Sequence, residues 1–572
     1  MPFFLSPGVN VSEIDLTTIV PAVGTTEGAF AGPFVWGPMN TIVSIGNEVE
    51  LVNTFGKPDA NTFRSFFSCS NFLSYARNLR VVRAASNTAA KNAVANSASG
   101  LLIQNRDDYD LNYYDLSASS SYGMFAARYP GALGNSLKVS LWAKANSNTQ
   151  TWGSDWTYAA EFNSPPGTSV FVDNVNGAND EMHIIVLDED GKFTGVANTV
   201  LEKFPYLSKA SDAKNDDGSS NYYVNVINDR SRYIYVLHHA INANGVANTT
   251  TWGTPASNTA YTQGLNEYTA ALKNGADGLP TDANLILAYD KFSNAEEVDV
   301  SLIITGSANT TVSEYVLENI SGSRKDCVTF ISPDFENVVN NAGNEVDKCI
   351  AKRNQYNSTS YGVMDNNWKL QFDKYNNVYR WVPLNGDIAG LCVRTDFERD
   401  PWYSPAGFNR GQIKNVVKLA WNATKGNRDD LYSNGINPVV SFPGEGVVLY
   451  GDKTMLTKPS AFDRINVRRL FIVLEKAIAR AAKYSLFEFN DEFTRAQFVA
   501  LVEPFLRDVQ GRRGIYDFRV VCDTTNNTPE VLDRNEFIGD IYIKPARSIN
   551  FIQLNFIAVR TSVAFEEVIG KF

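Results

Sequence analysis

A chain of 572 residues with 44% hydrophobic and 20% charged residues is long enough for about four domains and too rich in core-forming side chains to be disordered. Lys and Arg number 51 against 62 Asp and Glu, a net charge of −11, which excludes a chain that coats nucleic acid or anionic lipid along its whole length. No apolar run approaches the ~20 residues of a membrane span, and no basic-then-apolar leader opens the sequence, so a soluble, unsecreted protein is expected.

Residues 9–17 (VNVSEIDLT), directly after Pro7 and Gly8, are extended and partly alternating. Residues 29–36 predict a strand, 62–75 a helix with Phe63, Phe66, Phe67 and Leu73 near one face, and 79–84 a strand, the outline of a βαβ unit. From 85 to 300 the chain turns Ser-, Asn- and Gly-rich, with short strands between turns. The clearest is a hairpin over 184–196 turning at Asp190 and Gly191. From about Val298 the α/β rhythm resumes. Strands are predicted at 298–305 and 326–332, and helices at 311–320, 387–397, 412–422, 462–484 and 491–508. Strands at 515–522 and 537–544 precede an extended stretch, 549–559. The fold class expected is α+β multidomain: an α/β inner body formed by both chain ends, with one or more β-rich domains inserted in the middle.

The search for chemistry comes back empty. Cys69, Cys327, Cys349, Cys392 and Cys522 are odd in number and widely spaced, as buried thiols in a reducing compartment would be. His183, His238 and His239 are the only histidines, and the adjacent pair would point to opposite faces of a strand. Gly446 and Gly451 nearly frame a phosphate-binding loop, but Asp452 intervenes before Lys453 and Thr454 and would repel phosphate. The Asp188–Gly191 and Asp216–Gly218 turns lack the distal glutamate of a calcium loop. No catalytic residue, cofactor or metal is expected.

Two surfaces invite a second reading. Val9, Val11, Ile14 and Leu16 near one end, and Ile552, Leu554, Phe556 and Ala558 near the other, lie on strand-like segments. Each is either an ordinary strand of its own domain or a strand donated to a neighbouring subunit. The helix at 462–484 carries Arg464, Arg468, Arg469, Lys476, Arg480 and Lys483, either a solvated face with local ion pairs or a docking face for an acidic partner.

Taken together, LSPGVNVSEID, AFAGPFVWGPMN, NEVELVNTFGKP, NFLSYARNLRVVRA, QFDKYNNVYRWVPLNGDIAGLCVRTD, SPAGFNRGQIKNVVKLAW, GVVLYGDKT, FDRINVRRLF and the run from FRVVCDTTNNTPEVLDRNEF to INFIQLNF closely resemble the contractile tail sheath proteins of T-even-like bacteriophages, the myovirus tail sheath family. The resemblance covers about 1–84 and 297–572. It includes YPGALGNSLKVSLW within 127–143, is weak elsewhere in 85–296, and suggests a shorter middle than in better-known relatives. It implies a structural protein without an active site that polymerises as stacked hexameric rings around a tail tube and contracts to drive the tube through the host envelope for genome ejection. Its implied partners are further copies of itself, the tail tube protein, the baseplate and tail terminator or neck proteins, with no direct nucleic acid and no membrane insertion. The place implied is the virion tail, with assembly in the host cytoplasm.

The domains expected on this footing are an N-terminal linking arm (1–23), a discontinuous middle α/β domain (24–88 with 297–425), a β-rich outer insertion (89–296) and a C-terminal inner domain ending in a second linking arm (426–572). The basic helix becomes a candidate tube-facing surface. A sheath of a phage-derived contractile injection particle is the near alternative. A surface adhesin is the distant one, with Trp152, Trp156 and Trp252 its only hints.

Overall fold

The computed structural model of the protein describes residues 24, 26–96, 99–116, 120–144, 152–239, 251–263 and 267–550. The chain divides into a larger unit, over residues 21–401 and 405–479, and a smaller one that takes in 402–404 and the chain from 480 onward.

Among the described residues the larger unit is organised on a seven-stranded sheet. Its order is Ile436–Asn437, Gly362–Asp365, Val328–Ile331, Leu302–Ile304, Gly28–Gly32, Leu79–Arg83, Ile42–Ile45. Neighbours are parallel except the last pair, which is antiparallel. The pleat sorts the apolar residues onto two faces. Phe30, Val81, Leu302, Ile304, Val328, Phe330 and Val363 pack with helices Phe63–Leu73 and Asn385–Glu398. Ala29, Ala31, Val82 and Ile303 pack with Ala288, Tyr289, Phe292, Val312 and Ile320 on the other side. This is a doubly covered α/β layer, and the predicted βαβ unit is its parallel pair Gly28–Gly32 and Leu79–Arg83.

Two glycines let the helices on one face close up. A Cβ on Gly386 would meet the Ser68 carbonyl oxygen at 2.3 Å, and one on Gly390 would meet the Tyr75 ring at 2.5 Å. At i and i+4 they form a bare stripe on helix Asn385–Glu398 where the helix Phe63–Leu73 and the turn after it approach.

The insertion has its own core. Strands Thr199–Ser208, Glu181–Asp188, Leu137–Trp142 and Tyr268–Ala271 form an antiparallel sheet in that order, packed with Tyr223, Ile227 and Val236. The chain enters and leaves it through a neck in which 86–94 runs beside 273–278. There Lys91 and Ala276, and Val94 and Lys273, exchange backbone hydrogen bonds. The insertion is anchored from below. Trp36 stands edge-on to Tyr129 and Phe193. The buried Arg83 guanidinium donates to the carbonyls of Phe34, Gly37 and Pro130, 2.7–2.9 Å away.

Several expectations shift. Residues 412–422 are not helical. Lys418–Leu419 adds a third strand to the hairpin Trp368–Asp373/Val378–Pro383, because an edge there offers the backbone partners and Val416 and Val417 are β-branched. The hairpin near 184–196 has its second strand at Thr199–Ser208. The intervening loop is gathered by Asp188, which accepts from Ser136, from both donors of Thr194 and from the Phe193 amide. The boundary expected at 297 falls earlier, since helix Asp282–Asp290 belongs to the body: Tyr289 donates to the Ile304 carbonyl at 2.8 Å. Strand Ile436–Asn437 lies in the body sheet and the larger unit runs to 479, so the body also extends past the expected start at 426.

Candidate functional site: assembly surfaces

Ligands of open α/β sheets usually sit beyond the carboxyl ends of the strands, beside the point where strand order reverses. Here those ends are taken up by protein. The helix Asn385–Glu398 starts there, with the Asn385 side chain donating to the Gly306 carbonyl at 2.6 Å and its backbone N–H donating to the Ser332 hydroxyl at 3.0 Å. Ser332 in turn donates to Asp365 at 2.6 Å, and the Asn367 amide holds the other carboxylate oxygen at 2.9 Å. Burial pushes the Asp365 carboxyl up to about 7, against these hydrogen bonds and reinforced by Asp387. Beside it, Lys369 and Asp387 form an ion pair at 2.8 Å with neither side chain exposed. Burial drives the Asp387 carboxyl up and the Lys369 ammonium down, and each partner's charge offsets part of that. The Tyr75 hydroxyl donates to the same Asp387 oxygen at 3.3 Å. These polar groups bond to one another, except that Asp387 Oδ2 and Asn385 Oδ1 are buried without a hydrogen-bond partner.

The other sequence candidates resolve similarly. Asp452, which interrupts the near-phosphate loop, is buried and paired with Arg464 at 3.0 Å. His183 lies in an aromatic stack with Phe162 and Trp156. It accepts from the Tyr206 amide and contacts the Ser164 carbonyl, and burial lowers its pKa to about 4. Trp156 and Trp252 are core residues and Trp152 packs on Trp156, so the aromatic hints of an adhesin are interior packing. Among the described residues no group of His, Cys, Asp and Glu is spaced to hold a metal ion, and no helix is long and apolar enough to cross a membrane.

The basic helix runs from Ile465 to Ala482, with its last residues in the smaller unit. The structure brings four of its six candidate cations to partners in the larger unit. Arg464 pairs with Asp452, and Arg469 makes a two-pronged bond to Asp396 at 2.8 and 2.5 Å. Arg468 lies over the rings of Phe462 and Tyr361, and Lys476 pairs with Asp299 at 2.8 Å. Arg480 and Lys483 are exposed. Val9, Val11, Ile14, Leu16, Ile552, Leu554, Phe556 and Ala558 lie outside the described residues.

The smaller unit exposes many apolar side chains among its described residues. Helix Glu492–Gly511, capped by Asp491 on the Thr494 amide at 2.8 Å, buries Phe498, Val502, Leu506 and Val509. Strands Ile515–Val521 and Asp540–Pro545 pair antiparallel, and among the described residues neither has a second neighbour. Their apolar face, Phe518, Val520, Ile541 and Ile543, is only half-buried. A two-stranded sheet is marginal on its own in water. Ahead of the helix and in its first turn, Tyr484, Leu486, Phe487, Phe489 and Phe493 are all exposed. Sequence reasoning passed over that corner because its apolar residues follow neither a helical nor a strand period. Their density, five in ten residues, was the signal.

The fold thus joins a doubly covered α/β body, with its insertion, to a smaller unit that exposes apolar side chains among the described residues. Residues 29–84 match the model of the tail sheath protein Gp18 domain III N-terminal region, 278–455 the phage tail sheath protein central domain, and 457–558 the phage tail sheath C-terminal domain. The tail sheath protein of Enterobacteria phage T4 is 36% identical, with 99% of each chain aligned. That of Vibrio phage KVP40 is 35% identical over 672 aligned positions, about 100 more than this chain has residues, covering 99% of this chain and all of that one. A sheath tail protein from Listeria innocua shares the fold at 12% identity, with a TM-score of 0.55 over 92% of this chain and 93% of that one. The chain belongs to the phage tail sheath family. It is a structural component of the tail sheath of a contractile phage tail.

Proposed function

We propose that this subunit polymerises as stacked hexameric rings around a tail tube, its two chain ends linking neighbouring copies, and that the polymer contracts to drive the tube through the host envelope. The observation that carries the reading is the two-stranded sheet of the smaller unit, whose strands have no second neighbour among the described residues and whose apolar face is half-buried. The segments around Val11 and Ile14, and around Leu554 and Phe556, are strand-like and terminal, the complement such a sheet requires. Energy for contraction is the difference between two packings of the same subunits summed over the polymer. No nucleotide is needed, in keeping with Asp452 being tied to Arg464. The role is non-enzymatic. Baseplate and tail terminator or neck proteins meet the polymer ends, and assembly takes place in the host cytoplasm.

Removing residues 1–17, or replacing Val11 or Ile14 by Pro, should abolish polymer while moving the melting temperature by no more than about 2 °C, since the described core is untouched. Sedimentation of polymer beside thermal melting is the measurement. Truncated chains that still build contractile sheaths would remove the linking role.

For the tube, the exposed end of the basic helix is the surface to probe. Arg480→Glu with Lys483→Glu should weaken co-sedimentation with tubes in a salt-dependent way, since exposed pairs contribute about 0–1 kcal/mol each and are screened by salt. Arg468→Glu or Lys476→Glu would instead break contacts inside the subunit. Tube binding unaffected by the Arg480 and Lys483 reversal at every salt concentration would direct the tube to another face.

A further inference from the structure

The corner of the smaller unit formed by 484–493 is rich in exposed apolar side chains. Tyr484, Leu486, Phe487, Phe489 and Phe493 are 62–105% exposed, Phe487 completely. At 150–250 Å² per aromatic side chain they present on the order of 700 Å² of apolar surface, close to one side of a stable protein–protein interface. The corner is held in shape. Phe487 adopts φ 70, in the left-handed region, which turns the chain at the tip of the corner. On one flank the Leu486 amide bonds back to the Lys483 carbonyl, and on the other Asp491 caps the next helix. Glu488, Asp491 and Glu492 are exposed among the aromatic residues, so the corner is apolar and acidic.

The larger unit carries a surface of matching chemistry. A cleft of about 550 Å³ opens beside Tyr75, lined by Phe397, Ile413, Arg394, Glu398 and Lys414. Phe397 is 66% exposed, and the Lys414 ammonium lies 4.6 Å from the Tyr75 ring centre while donating to the Ser74 carbonyl. The lining sets the apolar Phe397 and Ile413 among polar groups, and Arg394 pairs with Glu398 at 2.7 Å, which leaves Lys414 as the cation that an acidic corner would meet.

Resting on the polymer reading above, we propose that the 484–493 corner of one copy docks, Phe487 foremost, into the Tyr75–Phe397 cleft of a second copy of this chain. Corner and cleft are different patches of the same molecule, so the contact is heterologous. Each copy gives one and receives one, and the series extends as a ring or a helix rather than stopping at a dimer.

Cross-linking tests this directly. All five native cysteines are buried, so a chain carrying Glu488→Cys and Gln412→Cys presents two new exposed thiols, one at the corner and one in the cleft lining. Under oxidation its polymer should give a ladder of disulfide-linked oligomers, whereas either single variant alone should not, and the two single variants mixed should give only mixed dimers. Glu488→Lys and Lys414→Glu should each reduce polymer yield roughly tenfold, and combining them should restore it. A normal polymer that yields no ladder overturns the inference and leaves the polymer reading intact. So does a Phe487→Ser, Phe489→Ser chain that polymerises normally and loses only tube binding. Wild-type chains that never self-associate overturn the polymer reading, and the inference falls with it.

Discussion

Asp387→Ala should destabilise the larger unit by about 3–5 kcal/mol, because it strands the Lys369 ammonium in a site with no access to water. The pair sits at a junction of elements. Lys369 lies on strand Trp368–Asp373 and Asp387 in the first turn of helix Asn385–Glu398. Lys369 also donates to the Lys414 carbonyl at 3.0 Å, which cannot neutralise its charge. Taking two charges out of water is costly, so the pair as a whole contributes far less than either half suggests. Lys369→Met combined with Asp387→Leu should therefore recover most of the loss, since matched apolar groups remove both desolvation costs. Chemical denaturation of the wild type, both single variants and the double variant gives the coupling directly. A double variant no more stable than Asp387→Ala would mean that packing around the site, not the stranded charge, carries the effect.

What was legible in the sequence follows the range of the interactions involved. Helix Phe63–Leu73 and strand Leu79–Arg83 were readable because Phe66, Phe67 and Phe72, and the alternation of Leu79 with Val81, mark their buried faces locally. Helix Asp282–Asp290 was absorbed into the insertion because its apolar residues do not form one clean stripe. Its local mark was the reciprocal cap between Thr281 and Asn284. The stretch 412–422 has helix-like spacing at Ile413, Val416 and Leu419, and tertiary pairing with Leu370 overrides it. Electrostatic pairing was the least legible. Arg464, Arg469 and Lys476 look free in a helical projection, yet their carboxylates lie 12, 73 and 177 residues away along the chain. That the two strands of the smaller unit have no second neighbour among the described residues was not legible, because a missing neighbour leaves no trace in the sequence of the strand that lacks it.

Asp365 should make the stability of the larger unit fall as the pH rises from about 4 to about 7. Its carboxyl is pushed from an ordinary value of 3.8 to about 7, chiefly by burial, so across that window the folded chain holds a proton that the unfolded chain has released. Folding then takes up a proton. The stabilisation is complete below the unfolded pKa and is lost as the pH climbs through the folded one, a change of about 4 kcal/mol for this group alone. His183 and His239 oppose it. Burial lowers both from 6.5 to about 4, so their contributions to stability grow as the pH rises through part of the same range. The total slope therefore mixes opposing groups, and the decisive quantity is the difference between the wild type and Asp365→Asn. The amide is neutral at every pH, its oxygen can still accept from the Asn367 amide, and its nitrogen can face Ser332. Asp365→Asn should remove the downward component, leaving a curve that rises relative to the wild type between about pH 4 and 7. Denaturation midpoints across that range measure it, and parallel curves for the two proteins would show that Asp365 stays ionised in the folded subunit.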